Sequence, residues 1–147
     1  MFSKACEYAL RAVLYISMKS VNISRLSIPE IAKEIDAPVA FTAKILQTLA
    51  REGIISSFKG PNGGFFIDPS KPVSLNVIVK AIDGDDVLHT CALGLKECSD
   101  KFPCPIHHEI KHYKDRLRKV MKETTVQGLT GDLAKGKTFL KNLRTKK

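Results

Sequence analysis

Cys91, Cys98, Cys104 and His107 fall within one stretch, C-A-L-G-L-K-E-C-S-D-K-F-P-C-P-I-H, with the spacing C-x6-C-x5-C-x2-H. Thiolates are soft donors that bind zinc, copper(I) and iron–sulfur clusters well. Structural zinc sites favour two cysteines separated by two to four residues, so that one tight turn aims both sulfurs at a single ion. This stretch has no such pair. Wider spacing suits an iron–sulfur cluster, because its several iron atoms can be reached from an extended loop. Three thiols leave a ligand set incomplete. His107 is at hand locally, and Glu7, near the N-terminus, could be supplied by the same chain or by a second copy. Redox-active thiols without metal, a zinc site, and a site that binds nothing stand as alternatives on chemistry alone. No catalytic pattern competes: the chain has no phosphate-binding glycine loop, no G-x-S-x-G and no H-E-x-x-H, and enzymatic activity is not expected. His108 and His112, spaced i, i+4, read as solvated.

Such a loop needs elements to hold it, and the composition bounds them. The 147 residues suit one domain, or a small domain with an appended helix. A net charge of +9 favours an anionic partner, nucleic acid first. No apolar run approaches the ~18 residues of a membrane span, and the opening M-F-S-K-A-C-E-Y-A-L lacks the pattern of a secretory signal. The expected location is cytoplasmic, where thiols stay reduced and clustered cysteines serve metals or redox chemistry.

Upstream of the cysteines the periodicities describe a compact reader. Residues 3–19 form a first helix on Ala5, Ala9, Leu10, Ala12, Val13 and Ile16, with Cys6 as a small buried hydrophobe and Glu7 paired to Arg11. Ser27 and Glu30 match a capping box opening a second helix that ends near Asp36, ahead of Pro38. A third helix runs from about Pro38 to Glu52, with Gly53 as its cap; Ile45, Leu46, Leu49 and Ala50 face inward. Two helices joined by a tight turn fit a helix-turn-helix, whose second helix enters the major groove. Ala40, Phe41, Thr42, Lys44 and Gln47 are the candidate DNA-reading residues. Two short β-prone runs around Lys59-Gly60-Pro61-Asn62-Gly63-Gly64 then predict a hairpin wing, with Lys59, Asn62 and Gly63 at its tip. A fourth helix, Ser74 to Ile82, closes the module.

Residues 83–104 have no convincing period and carry the cysteines. The helix after them has the clearest stripe in the chain: Ile106, Ile110, Tyr113, Leu117, Val120 and Thr124 are spaced 4, 3, 4, 3, 4. That is an a/d seam suited to pairing with a copy of itself. The basic tail predicts a short helix around Lys137–Leu143.

The order of these motifs resembles the Rrf-two family of bacterial winged-helix transcriptional regulators, of the IscR and NsrR kind. M-F-S-K-A-C-E-Y-A-L-R-A resembles its first helix, L-S-I-P-E-I-A-K-E-I-D-A-P-V-A-F-T-A-K-I-L-Q-T-L-A-R-E-G-I-I its helix-turn-helix, S-F-K-G-P-N-G-G-F its wing and V-I-V-K-A-I-D-G the segment after it. The resemblance covers essentially the whole chain. It implies a dimeric regulator, usually a repressor, on inverted-repeat double-stranded DNA, with a 2Fe–2S or 4Fe–4S cluster in several members and none in others. Cys91, Cys98 and Cys104 match the family's cysteine ligands. His107 matches the histidine of IscR-like members, and Glu7 an acidic ligand offered from the partner's first helix. The first cysteine gap is one residue longer than in IscR, and Lys59 replaces a common wing arginine, which keeps charge but loses the planar fork.

The expectation is therefore a mainly α fold: a winged helix-turn-helix over residues 1–82, a sensor loop over 83–104, a dimerisation helix over 105–127 and a basic tail over 128–147. Its expected function is a homodimeric DNA-binding regulator switched by an iron–sulfur cluster, with no membrane or small-molecule substrate. A cluster-free thiol regulator, and a metal-binding interaction module without a transcriptional role, are the alternatives.

Overall fold

The structure is a computed structural model that describes residues 1–22 and 25–142. The end of the expected tail helix, at Leu143, and the middle of the Ser20–Leu26 connection lie outside the described residues. Six helices and one two-stranded sheet form a winged helix-turn-helix.

Helix α1, Lys4–Ser20, is opened by Ser3, whose hydroxyl accepts from the Cys6 amide at 3.0 Å. Its buried face runs Cys6, Ala9, Ala12, Val13, Tyr15, Ile16, the i, i+3, i+4 pattern of a core-facing helix. Glu7 pairs with Lys4 at 3.5 Å, not with Arg11 as the spacing predicts. Arg11 is taken by the Ile35 carbonyl, to which it donates at 2.8 Å.

Helix α2, Ile28–Glu34, is capped by Ser27, which accepts from the Glu30 amide at 3.3 Å. The other half of the capping box is diverted, because the Tyr15 hydroxyl donates to Glu30 Oε1 at 3.3 Å. Asp36 takes a positive φ of 54° in the turn, and α3, Val39–Arg51, follows. Its inner residues Ile45, Leu46 and Leu49 join Ile16, Ile31 and Ile35 in the core.

Strands β1, Ser56–Phe58, and β2, Gly64–Phe66, pair antiparallel with Ser57 opposite Phe65. Leu26 adds a bridge on the far side of β2, exchanging hydrogen bonds of 2.9 and 2.8 Å with Phe65. The root of the wing is tied to α1: the Ser20 hydroxyl donates to Ile16 O at 2.7 Å and accepts from the Ile67 amide at 3.0 Å.

Helix α4, Leu75–Asp83, packs on α1 and α3, and a short 3₁₀ turn at Asp86–Leu88 is the one regular piece in the 83–104 segment among the described residues. Helix α5 runs His107–Glu123, shorter than the expected 105–127. The cause is a clamp to the segment before α4. Leu75 N–H donates to Thr124 O at 3.0 Å and Val126 N–H to Val73 O at 2.8 Å, which draws Thr124 into extended geometry. Thr125 then caps a new helix, α6, Val126–Ala134. The expected helix near Lys137 is absent from the described residues: α6 ends earlier, and Gly136 (φ 72°) turns the chain away. Just before the expected tail the chain returns to the core, while the described tail residues stay exposed or half-buried. Val126 is fully buried against α1, and Leu140 O accepts from Arg11 at 3.4 Å.

Candidate functional site

The cysteine segment begins at a fixed point. Leu88 is buried with Cys6, Val79 and Met121, which brings together α4, α5 and the start of α1. Arg118 on α5 donates to Leu88 O at 2.7 Å, and Lys114 donates to Thr90 O. Cys91 follows, covered and only 7% exposed. Its chain turns back at Gly94 (φ 76°), with Gly94 N–H donating to Cys91 O at 3.0 Å. Glycine takes that backbone conformation without strain. The turn directs the amides of Leu93 and Leu95 at the Cys91 sulfur, and they lower its pKa below the usual thiol value; the Cys104 side chain and the Lys114 charge add to this.

A second pair of donors lies beside the first turn of α5. The Cys98 sulfur is 3.4 Å from His107 Nδ1. On the other side of the ring, Nε2 stands 2.8 Å from Asp100 Oδ1, and Lys111 reaches Asp100 Oδ2 at 2.6 Å. Hydrogen bonds from Lys111 and then His107 hold the Asp100 carboxyl down at about 2, and the same contact raises Lys111. His107 is 3% exposed.

Of the four predicted donors, Cys98 and His107 are in contact, and the Cys104 side chain bears on the Cys91 thiol. Among the described residues no three His, Cys, Asp or Glu side chains converge on a point that one ion could fill. Paired donors fit a two-iron cluster better than a single zinc, since each iron takes two protein ligands and histidine can replace cysteine on one of them. Amides aimed at a sulfur likewise fit a thiolate, whose negative charge they stabilise. Glu7 is not brought to this group within the chain; it stands on α1 beside Lys4, about half-exposed. Cys6 is fully buried and its thiol is pushed up to about 12, first by burial and then by Asp83. That makes it an inert packing group, as its place beside the helix stripe predicts.

The α3 face is narrower than its sequence implies. Ala40, Lys44 and Gln47 are exposed at i, i+4 and i+7, and Arg51 continues the row. Thr42 is corrected: it is fully buried, and its hydroxyl donates to Pro38 O at 2.8 Å, so it reads no base. Phe41 is also turned inward, edge-on to Tyr8 with ring centroids 5.6 Å apart. At the wing, Lys59 and Asn62 are exposed. Gly63 is there for close approach, since a Cβ on it would meet Phe58 O at 2.2 Å. Arg25 joins them unforeseen. Its guanidinium lies 3.8 Å over the Phe58 ring and donates to Asn62 O at 3.4 Å. Only the bridge between Leu26 and the wing brings it there, and no local pattern reveals that.

The seam of α5 is divided. Leu117 packs against its own module beside Met121, and Thr124 has left the helix for the clamp to Leu75. Ile106 and Ile110 are half-buried, while Tyr113 (69%) and Val120 (47%) are exposed. Leu93, Leu95 and Phe102 of the cysteine segment are exposed as well. No helix among the described residues is long and apolar enough to cross a membrane.

A helix-turn-helix with a hairpin wing and a basic reading row defines a winged-helix DNA-binding protein. Residues 2–132 match the model of the Rrf2 family, described as an iron-dependent transcriptional regulator, and the chain belongs to that family. An HTH-type transcriptional regulator of Aquifex aeolicus is 32% identical over 87% of this chain and 90% of its own. Among solved structures, CymR, the global cysteine regulator of B. subtilis, superposes with a TM-score of 0.71 at 20% identity, over 88% of this chain and 95% of that one. IscR of T. potens gives 0.69 at 16% identity, over 94% and 91%. At those identities the two structures speak for the fold.

Proposed function

We propose that this Rrf2-family transcriptional regulator works as a homodimer on an inverted-repeat operator, most simply as a repressor. On this reading its grip on DNA is switched by a two-iron cluster held by Cys91, Cys98, Cys104 and His107. The contact between Cys98 and His107, 3.4 Å from sulfur to Nδ1, carries the reading. The family's description as iron-dependent supports it. His107 is preferred to Glu7 as fourth ligand because it already touches Cys98, whereas Glu7 is occupied by Lys4. When bound, such a cluster supplies a centre that gains or loses an electron and is open to attack by oxidants or nitric oxide.

The chain's own residues carry the signal onward. With all four donors engaged, the 89–107 segment is closed over the first turn of α5, and Leu88 stays seated between Val79 and Met121. With the donors released, that seat loses its outer support. Val79 belongs to α4, which packs on both α1 and α3, so a shift there moves the reading row relative to α5. The change at the site is local, and its readout is the spacing of two reading helices. Ala40, Lys44 and Gln47 face the major groove, and Arg25, Lys59 and Asn62 the phosphates beside it. Tyr113 and Val120, exposed seven residues apart on α5, offer apolar surface that a second copy would cover.

Anaerobic purification with visible absorption and iron and sulfide assays tests the cluster, and binding to operator against scrambled duplex at ~150 mM salt tests the reader. A colourless, iron-free protein that still selects its operator would overturn the cluster and leave the regulator.

One observation favours a second reading. The amides of Leu93 and Leu95, and then the Cys104 side chain, lower the Cys91 thiol below its usual value, so on this reading a peroxide draws two electrons and two protons from Cys91 and Cys104 to form a disulfide and water. Alkylation before and after peroxide, followed by peptide mass mapping, distinguishes that thiol switch from the cluster.

A further inference from the structure

Asp100 belongs to no motif that points to DNA or to metal, yet it is the residue most tightly engaged with the cysteine site. We propose that Asp100 is a positioning residue: it holds the His107 proton on Nε2, so that Nδ1 presents a bare lone pair beside Cys98. This rests on the reading of His107 as a donor, and it adds the residue that makes the ring competent for that task.

The argument is one of hydrogen-bond accounting. An ionised carboxylate has no proton to give and accepts only. The proton shared across the 2.8 Å contact between Asp100 Oδ1 and His107 therefore belongs to the ring, on Nε2. In a neutral imidazole the other nitrogen is then unprotonated. That nitrogen, Nδ1, is the one 3.4 Å from the Cys98 sulfur. There it accepts from the Cys98 thiol in metal-free protein and is free to ligate iron in loaded protein. Lys111, one turn beyond His107 on α5, takes the second carboxylate oxygen at 2.6 Å and so fixes the plane of the group. Both its anchors start from α5, so Asp100 also ties the 98–104 loop to the first two turns of that helix. Ligating histidines in general depend on such a carboxylate behind the ring, and its loss typically loosens metal binding about 10- to 100-fold. The Asp100 side chain is 65% exposed, so its substitution opens no cavity in the core.

The test uses full-length protein and two variants. Asp100→Ala removes the acceptor, whereas Asp100→Asn keeps an oxygen for Nε2–H and discards the charge. Two-bond proton–nitrogen correlation spectra of histidine-labelled, metal-free protein should show His107 as the Nε2–H tautomer in wild type and Asp100→Asn, and as a mixture in Asp100→Ala. After anaerobic reconstitution, Asp100→Ala should hold iron about 10- to 100-fold less tightly, seen as faster bleaching by a chelator, with Asp100→Asn near wild type. A protonated Nδ1 in wild type, or an unchanged tautomer in Asp100→Ala, overturns the proposal. So does a changed tautomer with unchanged iron retention. If wild type takes up no iron and sulfide, the cluster reading falls, while the tautomer spectra still decide what Asp100 does.

Discussion

Arg118 and Leu88 join the cysteine segment to the long helix: the guanidinium donates to the Leu88 carbonyl at 2.7 Å while the Leu88 side chain packs on Met121, less than one turn further along α5. A displacement of the residues after Leu88 reaches α5 here as well as through Lys114 and Asp100. Replacing Arg118 by Met keeps the stem and removes the donor. The difference in operator affinity between loaded and metal-free protein should shrink by about 1 kcal/mol. Parallel titrations of both forms by fluorescence anisotropy check it.

On α3 the exposed and buried residues should separate cleanly. Gln47→Ala is expected to weaken operator binding by about 1–3 kcal/mol and to relax preference at one base position. Thr42→Val should leave affinity and preference unchanged, because the side chain is buried, and cost about 1 kcal/mol of stability through the lost bond to Pro38 O. Competition binding with single-base operator variants, alongside urea unfolding, distinguishes the two.

Arg25→Ala should weaken binding to every duplex about equally, operator or not. If its cation meets one phosphate, the slope of log affinity against log salt falls by about 1. Salt titrations on operator and scrambled duplex read the slope directly.

Val120→Asp should abolish the dimer and leave the protomer folded, since Val120 is among the exposed apolar residues of α5. Leu117→Asp should damage both, because Leu117 packs beside Met121 in its own module. Sedimentation with circular dichroism shows which property each loses.

Alkaline pH should destabilise the reader. Burial pushes Cys6 from 9.0 to about 12, and Tyr15 from 10.0 to about 12 with help from Glu30. Above pH 9 the unfolded chain sheds these protons while the folded chain keeps them. Stability is therefore full below pH 9 and is lost as pH rises toward 12, at up to ~1.4 kcal/mol per pH unit for each group. Cys6→Ala should flatten the Tm-against-pH curve between pH 9 and 10, where Tyr15 has yet to titrate in the unfolded chain.

Periodicity makes α1 to α4 legible in the sequence, because each buries one face against a common core and carries local start and stop signals such as Ser27 and Gly53. The lack of a period around the cysteines likewise points to a loop. The α5–α6 break at Thr124 is invisible locally. It is made by hydrogen bonds to Val73 and Leu75, some fifty residues earlier, and the helical stripe runs right up to it. Thr42 looks polar enough to read a base until its hydroxyl is seen to be satisfied by the carbonyl four residues before it. Arg25 and Asp100 were illegible for the same reason: each acts on a residue brought near by the fold rather than by the chain.

The seating of α6 on α1 has a consequence for biosynthesis. Chains emerge N-terminus first, and contacts between distant segments form last. The helix-turn-helix is complete as sequence by Arg51, yet one face of α1, its central support, is covered only when Val126 and the residues after it arrive. By then the cysteine segment and α5 have already been made. A nascent or truncated chain that stops before α6 therefore lacks part of the packing that supports the reader.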